Sequence, residues 1–294
     1  MAAARSSRRF ALVAYVVAPV SVEDNFYQMI NAFNLAEKYQ TPVIFLSDQD
    51  MSVRVQTIPQ FDLNRVKLVQ RQLWDPNGNG DGKFERFKET ESGVSAMSLP
   101  GMKGGQYVAE GLEHFTSGEP GYTPELHTHN MIKRGKKIRS AAEVAEAWGM
   151  LERFGDLNAP VAICGWGSTI GPVREAVERA KAEGMPVAVL YTKMIYPLPR
   201  QEIADFIEKR KAIIVPEMNY AGQFARMIQA EYWREVISVR KYGGIPFATH
   251  EIYDEIKKAY AMLGKSSTKK AVPKRAVKKL RKAAPAKRQV ARRK

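Results

Sequence analysis

From Pro160 to Leu263 the chain alternates short apolar runs with amphipathic stretches, and this rhythm restricts its fold more sharply than anything else in it. The run VAICGW leads through GSTIG into a stretch with Pro172 near its first turn and Val173, Ala176, Val177 and Ala180 on one face. PVAVLY and PRQEIADFIEKR follow, then AIIVPE and GQFARMIQAEYW, then VISVR and HEIYDEIKKAYAML. Four β-α units in a row predict a doubly wound parallel sheet, whose ligands gather at the carboxyl ends of its strands.

The first 50 residues repeat the pattern on a smaller scale. The apolar run from Phe10 to Val20 follows a basic start and has the length of an export signal. Pro19 interrupts it, however, no small-x-small cleavage site follows, and its Val/Tyr/Ala alternation suits a buried strand. Ser21 and Asp24 then stand in capping-box spacing, with Phe26, Met29, Ile30 and Phe33 as one apolar stripe of a helix. TPVIFLSD, bounded by Pro42 and Asp48, reads as a second buried strand, completing a parallel crossover unit. No other stretch has the roughly 18 apolar residues that a membrane span needs.

Residues 50 to 140 break this order. They are rich in Gly, Asn, Asp and Pro, with weak periodicity, and a loop this long is commonly functional or an interface. Within it, DPNGNGDGKFERF places Asp75, Asn77, Asn79, Gly80 and Asp81 like the first seven positions of a calcium loop. The twelfth position is Arg86, Glu85 lies one residue early, and the flanks are not paired amphipathic helices, so a tight turn is expected.

The net charge of +15 is a property of one end. Lys265 to Lys294 holds 14 Lys or Arg and no acid, and without it the formal charge falls to +1. This Ala/Pro/Lys/Arg tail is expected to be disordered and to contact polyanions weakly and without sequence preference. The boundaries expected are thus 1–140, 141–264 and 265–294. The single cysteine, Cys164, excludes an internal disulfide and an iron–sulfur cluster held by this chain alone.

Several constellations could carry chemistry. Gly165, Gly167 and Gly171 are spaced one residue too far for a dinucleotide fingerprint, and Lys193 stands where its acid belongs, though the helix start could bind an anion. His114, His127 and His129 with Glu113 match no compact metal site and read as surface or hydrogen-bonded histidines. Glu217 and Asn219 follow a strand and Gln223 opens the next helix, which suits either a ligand crevice or helix capping. Lys103 and Gly104, in PGMKGGQY, suit either an anion-binding loop or a plain flexible one.

Four stretches taken together, AFNLAEKYQTPVIFLSD, PGMKGGQYVAEGLEH, GSTIGPVREAV and PEMNYAGQFARMI, resemble the α subunit of 2-oxoacid:ferredoxin oxidoreductases, most closely the 2-oxoglutarate type. The resemblance runs in order from about Ala11 to Leu263. It implies an α/β fold: part of a thiamine pyrimidine-binding domain, then a doubly wound, transketolase-C-terminal-like domain. It also implies thiamine diphosphate and Mg at a shared subunit interface, an iron–sulfur cluster in a β-subunit partner only, and a cytoplasmic setting. The chemistry implied is oxidative decarboxylation of a 2-oxoacid with coenzyme A, the electrons passing to ferredoxin. Lys103, Gly104, Glu217, Asn219 and Gln223 are the cofactor-binding candidates.

In that family the glutamate that activates thiamine lies upstream of AFNLAEKY. Only 31 residues precede Ala32, and Met1 to Arg9 carries no counterpart, so no catalytic residue is placed on this chain. Glu37, inside the motif, reads as a solvated position. The chain reads as the C-terminal portion of an α subunit, inactive alone, either a split gene product completed by an upstream α fragment or a truncated reading frame. A second reading, from the residues alone, is a non-catalytic α/β scaffold whose tail contacts polyanions.

Overall fold

The computed structural model describes residues 14–77 and 83–267. The basic tail beyond residue 267, the start of the Phe10–Val20 run and residues 78–82 of the calcium-like loop lie outside the described residues.

The elements are β1 (Tyr15–Val17), α1 (Val22–Tyr39), β2 (Val43–Phe45), α2 (Gln49–Val53), α3 (Pro124–Ala142), β3 (Leu151–Gly155), β4 (Val161–Gly165), α4 (Ile170–Ala182), β5 (Val187–Thr192), β6 (Met194–Tyr196), α5 (Arg200–Glu208), β7 (Ala212–Glu217), α6 (Gln223–Tyr232), β8 (Ile237–Arg240) and α7 (Thr249–Ser267). Single turns of 3₁₀ helix lie at Leu63–Arg65 and Gly167–Thr169.

The larger sheet has the order β3-β5-β4-β7-β8, with β5, β4, β7 and β8 parallel and β3 antiparallel at one edge. Every residue of β4 and β5 is buried, as expected for strands covered on both faces. Val161 and Ile163 join α4 and α7 in one core, while Ala162 and Cys164 join α5 and α6 in the other. That period of two produces the doubly wound architecture. The helices expected from Pro160 onward are all present. The edge strand β3 was not foreseen, because LERFG is half exposed and lacks a continuous apolar run.

The smaller sheet has the order β2-β1-β6, with β1 and β2 parallel across α1. β6 comes from the other half of the chain: β5 and β6 are separated only by Lys193, so the polypeptide passes directly from one sheet to the next. Tyr15, Val17, Leu35, Tyr39, Ala141 and Met194 form the core between this sheet, α1 and α3.

Three expectations about this half are corrected. Ser21 does cap α1, accepting from Asp24 N, but the buried face of the helix carries Asp24, Gln28, Ala32, Asn34, Leu35 and Tyr39. Of the expected stripe, Met29 and Phe33 are exposed and Phe26 stacks on Phe61 at 4.0 Å. β2 is not fully buried: it is an edge strand whose Ile44 faces outward. Residues 50 to 140, read as loop, end in the 19-residue α3, capped by Thr123 with Pro124 at its first turn. Only Asn130 and Ala141 of α3 are buried, so it carries almost no apolar periodicity.

Candidate functional site

Both sheets direct loops toward the region where Lys193 joins them. The turn after β4 can form only with glycine. A Cβ on Gly165 would lie 2.4 Å from the Tyr191 ring, and Gly167 has φ +67°. Thr169 Oγ1 meets Tyr191 Oη at 2.9 Å beneath it. The Ser168 amide points at Asp48 Oδ2, 3.4 Å away, so the candidate anion site at this helix start already faces a carboxylate delivered from the smaller sheet.

Beside it lies a polar cavity of about 290 Å³, lined in part by Ser21, Asp24, Arg65, Glu152, Arg174 and Lys193. Lys193, a buried cation, donates to Asp24 Oδ1 at 2.7 Å and lies 3.6 Å from Glu152. Asp24 also accepts from Val20 N and Gln28 Nε2. A buried carboxylate that accepts three donors while facing a buried ammonium is compensated. The pair welds the start of α1 to the crossover between the sheets. Sequence reasoning met Lys193 only as a misfit in a nucleotide pattern; a lone charge inside an otherwise apolar strand pair was the available signal.

Glu217 is buried at the end of β7, its carboxylate accepting from Phe224 N at 2.8 Å, Ala225 N at 2.9 Å and Asn219 Nδ2 at 2.9 Å. Asn219 Oδ1 accepts from Gly222 N and Gln223 N. These two side chains therefore build the entry to α6, satisfying amides that a helix start leaves free. Gln223, the first residue of the helix, is exposed and has its side chain available.

Lys103 and Gly104 lie far along the chain from this turn, on two successive tight turns closed by Met102 N to Leu99 O and Gly105 N to Met102 O. Ser98 Oγ donates to Gly105 O at 2.7 Å, and Gly104 has φ +78° over the Trp74 ring. The loop encloses a recess of about 440 Å³ between Met97 and Tyr107, and Lys103 is exposed at its tip. This is an ordered platform whose Lys103 ammonium meets no acceptor among the described residues.

The histidines fall where a structural reading puts them. Glu113 accepts from Arg134, Asn130 and His127, pinning the long loop to α3, and His129 pairs with Glu89. Desolvation would raise the Glu113 carboxyl, but hydrogen bonds from Arg134, Asn130 and His127 outweigh it and hold it at about 2. Among the described residues no group of three His, Cys, Asp or Glu could hold a metal ion. Glu37, expected to be solvated, is gripped by Arg71 through two hydrogen bonds of 2.8 and 2.9 Å. Asp75 folds back onto Asn77 N, as in a tight turn. Burial pushes the Cys164 thiol up to about 12, so it is an inert core residue.

An aminopyrimidine-activating base needs a carboxylate oxygen that is desolvated and free. The two buried carboxylates among the described residues, Asp24 and Glu217, are both fully engaged, so these residues do not supply that base. Among the described residues, no helix is long and apolar enough to cross a membrane.

Two family models match the chain. One, described as pyruvate flavodoxin/ferredoxin oxidoreductase, thiamine diphosphate-binding, covers residues 2–131. The other, pyruvate:ferredoxin oxidoreductase core domain II, covers residues 159–252. The first match reaches back across Met1–Arg9, which carries none of the quoted motifs but lies almost wholly inside the matched region. Subunit α of 2-oxoacid:ferredoxin oxidoreductase 1 from Sulfurisphaera tokodaii is 30% identical over 250 residues, covering 84% of this chain and 38% of the relative. The 2-oxoglutarate oxidoreductase subunit KorA of Mycobacterium tuberculosis is 30% identical over 251 residues, covering 84% and 36%. The solved 2-oxoglutarate:ferredoxin oxidoreductase from Magnetococcus marinus, with 2-oxoglutarate, coenzyme A and succinyl-CoA bound, superposes with a TM-score of 0.78 at 35% identity. It covers 85% of this chain and 43% of that one. The chain thus spans well under half the length of these relatives. Two of the four motifs fall in each matched region, and with both regions and these relatives matched along most of its length the chain belongs to the family of 2-oxoacid:ferredoxin oxidoreductase α subunits.

Proposed function

We propose that this chain is a component of a cytoplasmic, thiamine diphosphate- and Mg-dependent complex that oxidatively decarboxylates a 2-oxoacid, 2-oxoglutarate in the first instance. Coenzyme A takes the acyl group, and the electrons leave through an iron–sulfur cluster in a β subunit to ferredoxin. The observation that carries this reading is the ordered match of a thiamine-binding region and core domain II on one chain. The likeness to a solved structure with 2-oxoglutarate, coenzyme A and succinyl-CoA bound points to the substrates.

The chain's own share in that chemistry is positional. Thiamine, when bound, supplies the carbanion sink. Lys103 and Gly104 offer an ammonium on a rigid turn to an anionic group, and Gln223 offers an amide at the start of α6. Glu217 and Asn219 hold that helix start in place. The activating carboxylate comes from elsewhere in the assembly. The exposed edge of β2, with Ile44 outward, favours completion of the smaller sheet by further α-subunit polypeptide.

Gel filtration of the full chain tests this, with and without its β subunit and the rest of the α subunit. Thiamine diphosphate should co-elute only with the assembled complex. Stoichiometric retention by the chain alone, or failure to assemble at all, would remove the proposal.

A further inference from the structure

A groove of about 310 Å³ opens between α3 and the pair α5 and α6. Its floor is apolar: Ile138 and Ala142 come from α3, Leu198 from the turn after β6, and Met227 from α6. Its rim is charged. Arg200 pairs with Glu231 at 2.7 Å, which leaves two acids, Glu143 and Glu202, against one cation, Arg139. Neither acid side chain has a hydrogen-bond or ion-pair partner among the described residues.

The chain enters β1 beside this groove. β1 is antiparallel to β6, with Val16 opposite Tyr196, so the line of the strand ahead of Tyr15 passes Pro197 and Leu198. Tyr15 Oη donates to Lys137 O at 3.2 Å, next to Ile138 in the groove wall. Ahead of Ala14, the first described residue, stands MAAARSSRRFALV, with Arg5, Arg8, Arg9 and no acid. Phe10 and Leu12 are two apart, the spacing that puts both on one face of an extended segment. We propose that residues 8–13 of this chain occupy the groove, with Phe10 and Leu12 on its floor and Arg8 and Arg9 against Glu143 and Glu202. At about 3.3 Å per residue, six extended residues reach about 20 Å, ample for a cavity of this size. The segment thereby fastens α3 to α5 and α6, which belong to the other half of the chain. The basic tail fits less well. It follows α7, which packs with α4 on the opposite face of the larger sheet from α5 and α6, and residues 268–294 hold no aromatic side chain.

Photocrosslinking of the full chain tests this, with p-benzoylphenylalanine placed at position 10, or at position 280 in the tail, and the products located by mass spectrometry. Position 10 should join to residues 138–142 and 197–202 of the same chain, and position 280 should not. Nearness along the chain alone would survive changes to the groove, so two variants supply the contrast. Ala142→Trp fills the floor, and Glu143→Lys with Glu202→Lys reverses the rim. Each should cut the crosslink yield about fivefold or more. Slow amide exchange at Ile163 checks that the larger sheet is intact, and a variant that keeps it decides the matter. Crosslinks between two chains would make the occupant a second copy, and stronger capture from position 280 would make it the tail. Either of these, no groove crosslink, or a yield undiminished in an intact variant would overturn the proposal.

Discussion

At the scale of single residues, the molecule is organised by a few buried polar groups that each close a particular gap. Lys193 and Asp24 meet at 2.7 Å where the chain leaves one sheet and enters the other. Removing one partner leaves the other charge buried, so Lys193→Met should lower stability by about 3–5 kcal/mol. The double variant with Asp24→Asn should recover part of this, and urea unfolding of all four proteins in the cycle measures the coupling. An additive cycle would mean the pair is not the weld. Glu113 makes a different kind of prediction. Its folded carboxyl lies at about 2 against an ordinary 4.5, so its stabilising effect is complete above about pH 4.5 and is lost as pH falls toward 2. With 24% of its side chain exposed, the effect is discounted to about 1–2 kcal/mol near neutral pH. Glu113→Gln should lower stability by that amount at pH 7 and flatten the acid limb, as read from unfolding midpoints between pH 7 and pH 2. An unchanged acid limb would count against this assignment. Little of this was visible in the sequence. Asp24, Gln28 and Asn34 have polar side chains but are buried, because Lys193 donates to Asp24, Gln28 donates to Asp24 and accepts from Asn31, and Asn34 meets the Lys67 and Val69 backbone groups. An apolar-stripe argument therefore selects the wrong face of α1.

At the scale of elements, legibility follows how each segment is buried. Strands β4, β5 and β7 and their helices were readable because both faces of the sheet are covered and each strand is apolar up to its last residue. α3 was not, because it is held by side-chain hydrogen bonds to the long loop rather than by an apolar stripe. Its Thr-Pro start was the one local signal. The loop itself is ordered by tight contacts. Gly118 has φ +99°, and a Cβ there would lie 2.0 Å from Val108 O. Gly118→Ala should therefore cost about 1–3 kcal/mol locally. In hydrogen exchange, the Gly118 amide, which donates to Phe115 O, should speed up while Ile163 and Ile214 in the larger sheet stay protected. Equal acceleration in the sheet would show that loop and sheet unfold as one unit.

At the scale of the whole molecule, the chain combines a finished unit and an unfinished one. The larger sheet has helices on both faces and two complete cores. The smaller sheet has three short strands and an exposed edge at β2, and Lys103 stands exposed on a separate turn of the long loop. In the complex proposed above, such a body would contribute positioning groups, with the base and the redox metal coming from other chains. The most direct test is 2-oxoglutarate- and coenzyme A-dependent reduction of methyl viologen, with thiamine diphosphate and Mg present. It is measured on the full chain alone and after co-expression with its β subunit and the rest of the α subunit. The account predicts turnover in the assembled complex and none from the chain by itself. Turnover by the isolated chain, or none in a fully assembled complex, would contradict it.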